Sequence, residues 1–428
     1  MSPILGLVVL FTMLGLGIPV GVAMLAVGTI GFALITDIGP AAYMTARTAY
    51  STVTSYSLSV IPLFLLMGNL INRAEVSRDL YDSAHSFVGH WRGGLSMATI
   101  LACGGFASVS GSSMATTASM ARVAYPAMKR YGYGDVLATG SIAAGGTLGI
   151  LIPPSVVLIL YGVLTETDIG MLFAAGFLPG LLGVVLYMVT CGIIARARPD
   201  WAPTADRQSW PERLRSLKRV WAVLLLFGIV MGGIYGGIFT PTEAAGVGAV
   251  GAFIIALIRR RLTLIVLRDV LIDTAITTAM MLFVIVGALV FMNYVNVAGL
   301  PRMIAGFLAG IDASPMVIVL IICGIYLVLG CILESMSMIL LTIPIFFPVI
   351  TSLGLDPVWF GIIIVMVVEV GLITPPIGLN AFMLRTVLNT VPLGTIFTGI
   401  ALFLGADILR ILLVVVFPEI ALFLPSRM

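Results

Sequence analysis

The chain has 428 residues, 60% of them hydrophobic and 10% charged, with 22 Lys and Arg against 19 Asp and Glu for a net charge of +3. Its mean hydropathy is +1.17, whereas a soluble domain carries about 25% charge, so a water-facing globule is excluded. Apolar stretches of roughly 20 residues, enough to cross a ~30 Å hydrocarbon core, recur along the whole sequence and leave no soluble domain between them.

The amino terminus is apolar from Pro3 onward and its first basic residue is Arg47. A secretory signal needs a positive segment before its apolar core, so this start reads as a retained span with the amino terminus outside. Spans are predicted over 3–17, 20–36 and 57–72. A polar loop, 73–93, follows and holds His85 and His90, read as solvated. The segment 94–128 is apolar but interrupted by small polar residues, which predicts a re-entrant hairpin. Further spans are predicted over 135–163 and 170–195, and the basic, Trp-containing stretch 199–218 reads as an amphipathic segment on the inner surface. Spans over 219–238, 242–258 and 270–295 come next, then a second hairpin over 315–350 and final spans over 358–388 and 395–417. The expected fold is an all-α membrane protein with about ten transmembrane spans, two re-entrant hairpins and two broken helices.

This orientation places 17 of the 22 basic residues in or beside inner loops, among them Arg73, Arg78, Lys129, Arg130, Arg213, Arg215 and Arg259 to Arg261, as the positive-inside bias requires. The five tryptophans, Trp91, Trp201, Trp210, Trp221 and Trp359, fall near span ends and read as an interfacial belt. Cys103, Cys191, Cys323 and Cys331 lie in apolar segments without metal or redox spacing, and read as small core residues.

Shifting the chain by 222 residues against itself aligns Pro19 with Pro241, Pro126 with Pro348, Pro153 with Pro375, Pro154 with Pro376 and Pro203 with Pro425. Half of the ten prolines before residue 207 find a proline, where a background of about 5% predicts roughly half of one. Gly149 aligns with Gly371 and Ser113 with Ser335 in the same frame. Each half holds five spans and one hairpin, and a hairpin crosses nothing, so the second half is expected upside down relative to the first. The division predicted is 1–206, a basic cytoplasmic linker over 207–222, and 223–428. Inverted repeats are a transporter signature, with the binding site near the midplane where the halves meet.

The chemistry is expected at the two double prolines inside apolar spans, GILIPPS (Gly149 to Ser155) and GLITPPIGLN (Gly371 to Asn380). Proline lacks an N–H and clashes with the preceding turn, so each pair should break its helix and free carbonyls. In lipid such groups are tolerated only when buried in protein or facing a wet cavity; the bland alternative is a plain kink. Each break has a hairpin partner: GGFASVSGSSMATTASM (Gly104 to Met120) clusters Ser108, Ser110, Ser112 and Ser113 around Gly111, and GCILESMSM (Gly330 to Met338) aligns Glu334 and Ser335 with it. Gly and Ser also serve simply to let helices approach. Hydroxyl and carbonyl oxygens at such tips suit a hard monovalent cation, and helix N-termini there suit an anionic substrate. Charges within spans, Glu243, Glu334, Glu369, Asp407 and Arg410, are costly and are functional candidates. Asp407 and Arg410 can pair on one helix face, and Glu243 can be an ordinary first-turn acid.

SGSSMAT in an early hairpin, YPAMKRYGY after it, GILIPPS, IYGGIFTPTEAAGVG (Ile234 to Gly248) and TPPIGLN together resemble the large membrane subunit of tripartite ATP-independent periplasmic (TRAP) transporters, along essentially the whole chain. The resemblance implies an elevator-type fold, Na+ as coupling ion, a small four-span membrane subunit as partner, and a periplasmic binding protein that delivers an organic acid, in the bacterial inner membrane. It maps one sodium site onto Ser108, Ser110, Gly111, Ser113, Gly149 and Pro153, and another onto Gly330, Glu334, Ser335, Gly371, Thr374 and Pro375. Substrate contacts are expected at Ser112, Pro154, Ser155, Pro376 and Asn380. A separate polypeptide is expected for the small subunit. A standalone sodium-coupled carboxylate carrier is the alternative reading. An intramembrane enzyme would need a catalytic dyad or metal motif at membrane depth, and the sequence has no H-E-x-x-H and no intramembrane histidine.

Overall fold

The computed structural model describes residues 2–303 and 314–428, and among them the regular structure is helical throughout. In chain order the helices are α1 (Pro3–Gly15), α2 (Val20–Ala33), α3 (Ile38–Val53), α4 (Val60–Arg73), α5 (Val76–Val88), α6 (Gly94–Ser110), α7 (Ser113–Arg130), α8 (Asp135–Thr147), α9 (Val156–Thr165) and α10 (Ile169–Ala197). After these come α11 (Trp210–Tyr235), α12 (Pro241–Ile258), α13 (Leu264–Val297), α14 (Pro315–Gly330), α15 (Ser335–Ser352), α16 (Pro357–Ile373), α17 (Leu379–Val387) and α18 (Leu393–Val416). Their starts carry the expected chemistry: Thr240 and Glu243 form a reciprocal capping box on α12, and Asp168, Thr263 and Asp356 cap α10, α13 and α16. Glu243 is thus a first-turn acid with a structural role.

Among the described residues six helices, α10, α11, α12, α13, α15 and α18, are long and apolar enough to cross a membrane, and α3 with α4 forms a further pair bent by 52°. Leu224, Ile229, Val250, Ile254 and Ile276 stand exposed on this scaffold, a surface suited to lipid or to another membrane chain.

The 222-residue frame recurs in the helix bounds. Adding 222 to Ser113 and Arg130 gives 335 and 352, the bounds of α15, and adding it to Asp135 gives 357, the start of α16. Likewise α6 falls on α14, α9 on α17 and α10 on α18. One difference is informative: α3, a short 3₁₀ turn and α4 correspond to the single 34-residue helix α13.

Several local expectations are corrected. The region 38–53, outside every predicted span, is helix α3; its Thr, Tyr and Arg content hides it from an apolar scan, and it buries only Ala41 and Thr52. The polar loop 73–93 contains α5, which buries Val76, Leu80, Tyr81 and Val88 at helical spacing. His85 is therefore half-buried and stacked on Tyr81, and burial pushes its imidazole below the ordinary range. The basic stretch before 219 is helical from Trp210 and continuous with the following apolar run in α11. Trp359 is 3% exposed, its indole donating to the Val414 carbonyl at 2.9 Å, so it belongs to the core and not to an interfacial belt. Cys331 is only half-buried, whereas Cys103, Cys191 and Cys323 are buried thiols.

Candidate functional site

The first hairpin turns between α6 and α7. Gly111 closes α6 with φ +60°, which favours glycine, and Ser112 caps α7 by accepting from the Ala115 N–H at 3.4 Å. The partner break runs from a 3₁₀ turn (Leu148–Ile150) to Ser155, all buried. Ser155 donates to the Ile150 carbonyl at 2.5 Å and accepts from the Leu158 N–H at 3.3 Å, so its hydroxyl satisfies an oxygen freed by the prolines and restarts α9.

Tip and break touch. A Cβ on Gly149 would lie 2.6 Å from the Ser112 carbonyl oxygen and 2.9 Å from Thr116 Oγ1, and one on Gly111 would lie 3.0 Å from the Pro154 carbonyl oxygen. Thr116 Oγ1 sits 2.9 Å from Ser110 Oγ and donates to the Ser112 carbonyl at 2.8 Å. Two uncharged oxygens, Ser112 O and Thr116 Oγ1, therefore line a cradle that any side chain at 149 would fill, with Ser110 Oγ next to Thr116 and Pro154 O beside Gly111. Thr116 was absent from the residues singled out by sequence, although its i, i+4 spacing from Ser112 puts it on the same face. Ser108 donates to Gly105 O within α6 at 2.7 Å. Pro153 packs against α10, 3.7 Å from a Cβ built on Gly176.

The second hairpin turns between α14 and α15. Glu334 caps α15, accepting from the Met336 and Ser337 N–H groups at 3.2 Å each and from the Ser335 and Ser337 hydroxyls at 3.4 and 3.2 Å. Gly330 and Gly371 meet backbone to backbone: a Cβ on Gly371 would lie 2.6 Å from Gly330 Cα and 3.3 Å from its carbonyl oxygen. The break follows over 374–378, with Thr374 donating to Val370 O at 2.6 Å and Gly378 at φ +59°. Pro375 and Pro376 are exposed, whereas Pro153 and Pro154 are buried, so the two breaks differ in their surroundings. The prolyl bonds Pro153–Pro154 and Pro375–Pro376 are both cis.

The two units join at the centre. Asn380, fully buried, donates to Ser113 Oγ at 2.7 Å and reaches the Ala143 carbonyl at 3.5 Å, linking the first tip to the helix after the second break. Gly111, Ser112, Ser113 and Ile150 share with Glu334, Ser335, Leu372 and Leu379 the wall of one cavity of about 20 Å³. That volume admits about one water, for which about 10–15 Å³ suffices, and excludes an organic acid. Among the described residues no cluster of three His, Cys, Asp or Glu could hold a metal.

The sequence profile of the tripartite ATP-independent periplasmic transporter DctM component matches residues 7–420. The chain belongs to this family of TRAP transporter large permeases. It is 40% identical over 378 residues to the C4-dicarboxylate TRAP transporter large permease DctM of Pseudomonas aeruginosa PAO1, covering 88% of each chain. It is 34% identical over 422 residues to the sialic acid TRAP transporter large permease SiaM of Vibrio cholerae O1, covering 97% of each. The solved structure of the Alcanivorax borkumensis YdaH transporter is similar in fold, with a TM-score of 0.63 at 15% identity, over 92% of this chain and 96% of that one. As a TRAP permease the chain is a multi-pass membrane protein of a transporter, not an enzyme.

Proposed function

We propose that this TRAP permease imports a small organic acid by sodium symport, as an elevator in which the hairpins and broken helices move against the remaining helices. The observation that carries the reading is the single cavity walled by both hairpin tips together with residues beside both breaks. A solute path with one central site requires that convergence, and a static anchor does not.

The residues fit sodium. Ser112 O and Thr116 Oγ1 beside Gly149, with Ser110 Oγ next to Thr116 and Pro154 O beside Gly111, are all uncharged oxygen donors, and the Gly330 carbonyl lies beside Gly371 in the second unit. Sodium bound there would supply positive charge that the tips lack. The N-terminus of α7, capped only by the neutral Ser112, offers its N–H groups and dipole to a substrate carboxylate, whereas that of α15 is already occupied by the Glu334 carboxylate. Relatives named for C4-dicarboxylates and for sialic acid, both carboxylates, are in keeping with an anionic solute. Opening the cavity beyond 20 Å³ is then a necessary step of transport.

The partners we assign are a small four-span membrane subunit and a soluble periplasmic binding protein that delivers the acid. The two structural repeats are read as inverted, joined across 207–222, with the amino terminus periplasmic in a bacterial inner membrane. The test is uptake of labelled acids into proteoliposomes holding the permease and its small subunit. Uptake that needs both an inward sodium gradient and the binding protein supports the proposal. Equal uptake without the binding protein would make the chain a standalone carrier, and uptake indifferent to sodium would remove the coupling ion.

A further inference from the structure

A fully buried polar cluster lies outside the tips. Arg410 on α18 donates through Nη2 to Glu369 Oε2 on α16 and, at 3.0 Å, to Asp407 Oδ1. Tyr187 on α10 donates to the same Asp407 oxygen at 2.5 Å, and its ring lies under the guanidinium, 5.7 Å from centroid to Cζ. The Tyr187 hydroxyl is also 3.5 Å from that of Thr147, the last residue of α8. None of the five side chains is more than 1% exposed. Gly183 of α10 leaves room for the guanidinium: a Cβ there would collide with Arg410 Nη1 and lie 3.1 Å from Leu148, the first residue of the broken turn.

The placement of these groups follows the repeat. Adding 222 to Thr147 gives 369, so Thr147 and Glu369 hold equivalent positions, each two residues before the glycine of its break. The helices α10 and α18 are equivalent in the same frame. The cluster therefore clamps both broken helices to one pair of repeat-related helices, and the Tyr187–Asp407 hydrogen bond crosses between the repeats. Burying three ionisable groups in this way is costly, and removing one partner of such a cluster costs more than the pair contributes.

We infer that Tyr187, Asp407, Arg410 and Glu369 are positioning residues that hold the two breaks as a single unit, so that occupation of one cation site pre-forms the other. This rests on the sodium reading above. Tyr187→Phe removes the cross-repeat hydroxyl while keeping the ring and leaving Asp407 bonded to Arg410. In the purified complex with its small subunit, sodium-dependent thermal stabilisation of the wild type is expected to follow a Hill slope near 2. In Tyr187→Phe the slope falls towards 1 and half-saturation rises at least about fivefold, the lower end of ordinary coupling between sites. A folded variant with wild-type slope and half-saturation overturns the inference and leaves the sodium sites standing. A wild type that sodium does not stabilise at all sinks the sodium reading instead. Hydrogen exchange on the unmodified complex needs no variant: protection of 148–155 and of 374–378 is expected at one common sodium concentration, and two separate half-saturation points would refute the coupling.

Discussion

Gly371→Ala is a substitution on which packing and helix propensity disagree. Gly371 lies in α16 with ordinary helical geometry, so alanine there would by propensity alone stabilise the helix by about 1 kcal/mol. Against this, the added Cβ would sit 2.6 Å from Gly330 Cα and 3.0 Å from its carbonyl carbon, where carbon atoms prefer about 3.5–4.0 Å. Both obstacles are backbone, so no side chain can rotate away, and the second hairpin tip must withdraw from the break by about 1 Å. Overpacking of this kind costs about 1–3 kcal/mol, and ligand distances at a metal site tolerate only about 0.2 Å. The expected result is a lower melting temperature and a loss of sodium-dependent stabilisation by at least about tenfold in half-saturation, at 1.36 kcal/mol per decade. Gly405→Ala on α18, where a Cβ meets nothing within 4 Å, is the control and should melt at or above the wild-type temperature. A Gly371→Ala protein that melts higher than wild type with unchanged sodium half-saturation would refute the close-approach reasoning.

Ser110→Leu should abolish sodium-dependent uptake while membrane insertion stays intact, as read by comparing transport with the amount of chain in the membrane fraction. Ser113→Ala leaves the buried Asn380 amide with only the Ala143 carbonyl at 3.5 Å across the centre, which costs about 1–3 kcal/mol and lowers thermal stability. Glu334→Ala uncaps α15 at a cost of about 0.5–2 kcal/mol, so amide exchange at Met336 and Ser337 should accelerate, whereas Glu334→Gln, which keeps a carbonyl acceptor, should change exchange less.

The hairpins and breaks were legible because they rest on local rules: glycine and serine at a turn, and double proline within an apolar run. The 222-residue proline register was legible too, and α7 and α15 repeat in that same frame. Helices α3 and α5 were not legible as elements, because their Thr, Tyr, Arg, Asp and Ser content dilutes an apolar window and averages their periodicity away. The pairing of Asp407 with Arg410 followed from helix spacing. Their bonds to Glu369 and Tyr187 did not, since these lie 41 and 220 residues distant and only packing brings them together. The contact of Thr116 with Gly149 was hidden for the same reason. The hydroxyls of Ser108 and Ser155 turn out to bond backbone carbonyls of their own segments, which composition alone does not distinguish from a ligand role.

Direct binding of radiolabelled sodium to the purified membrane complex tests the two cradles most plainly. The account predicts about two ions per permease chain, falling by at least one in Gly149→Ala and in Gly371→Ala proteins that remain folded. Undiminished sodium binding in both variants, or none in the wild type, would contradict it.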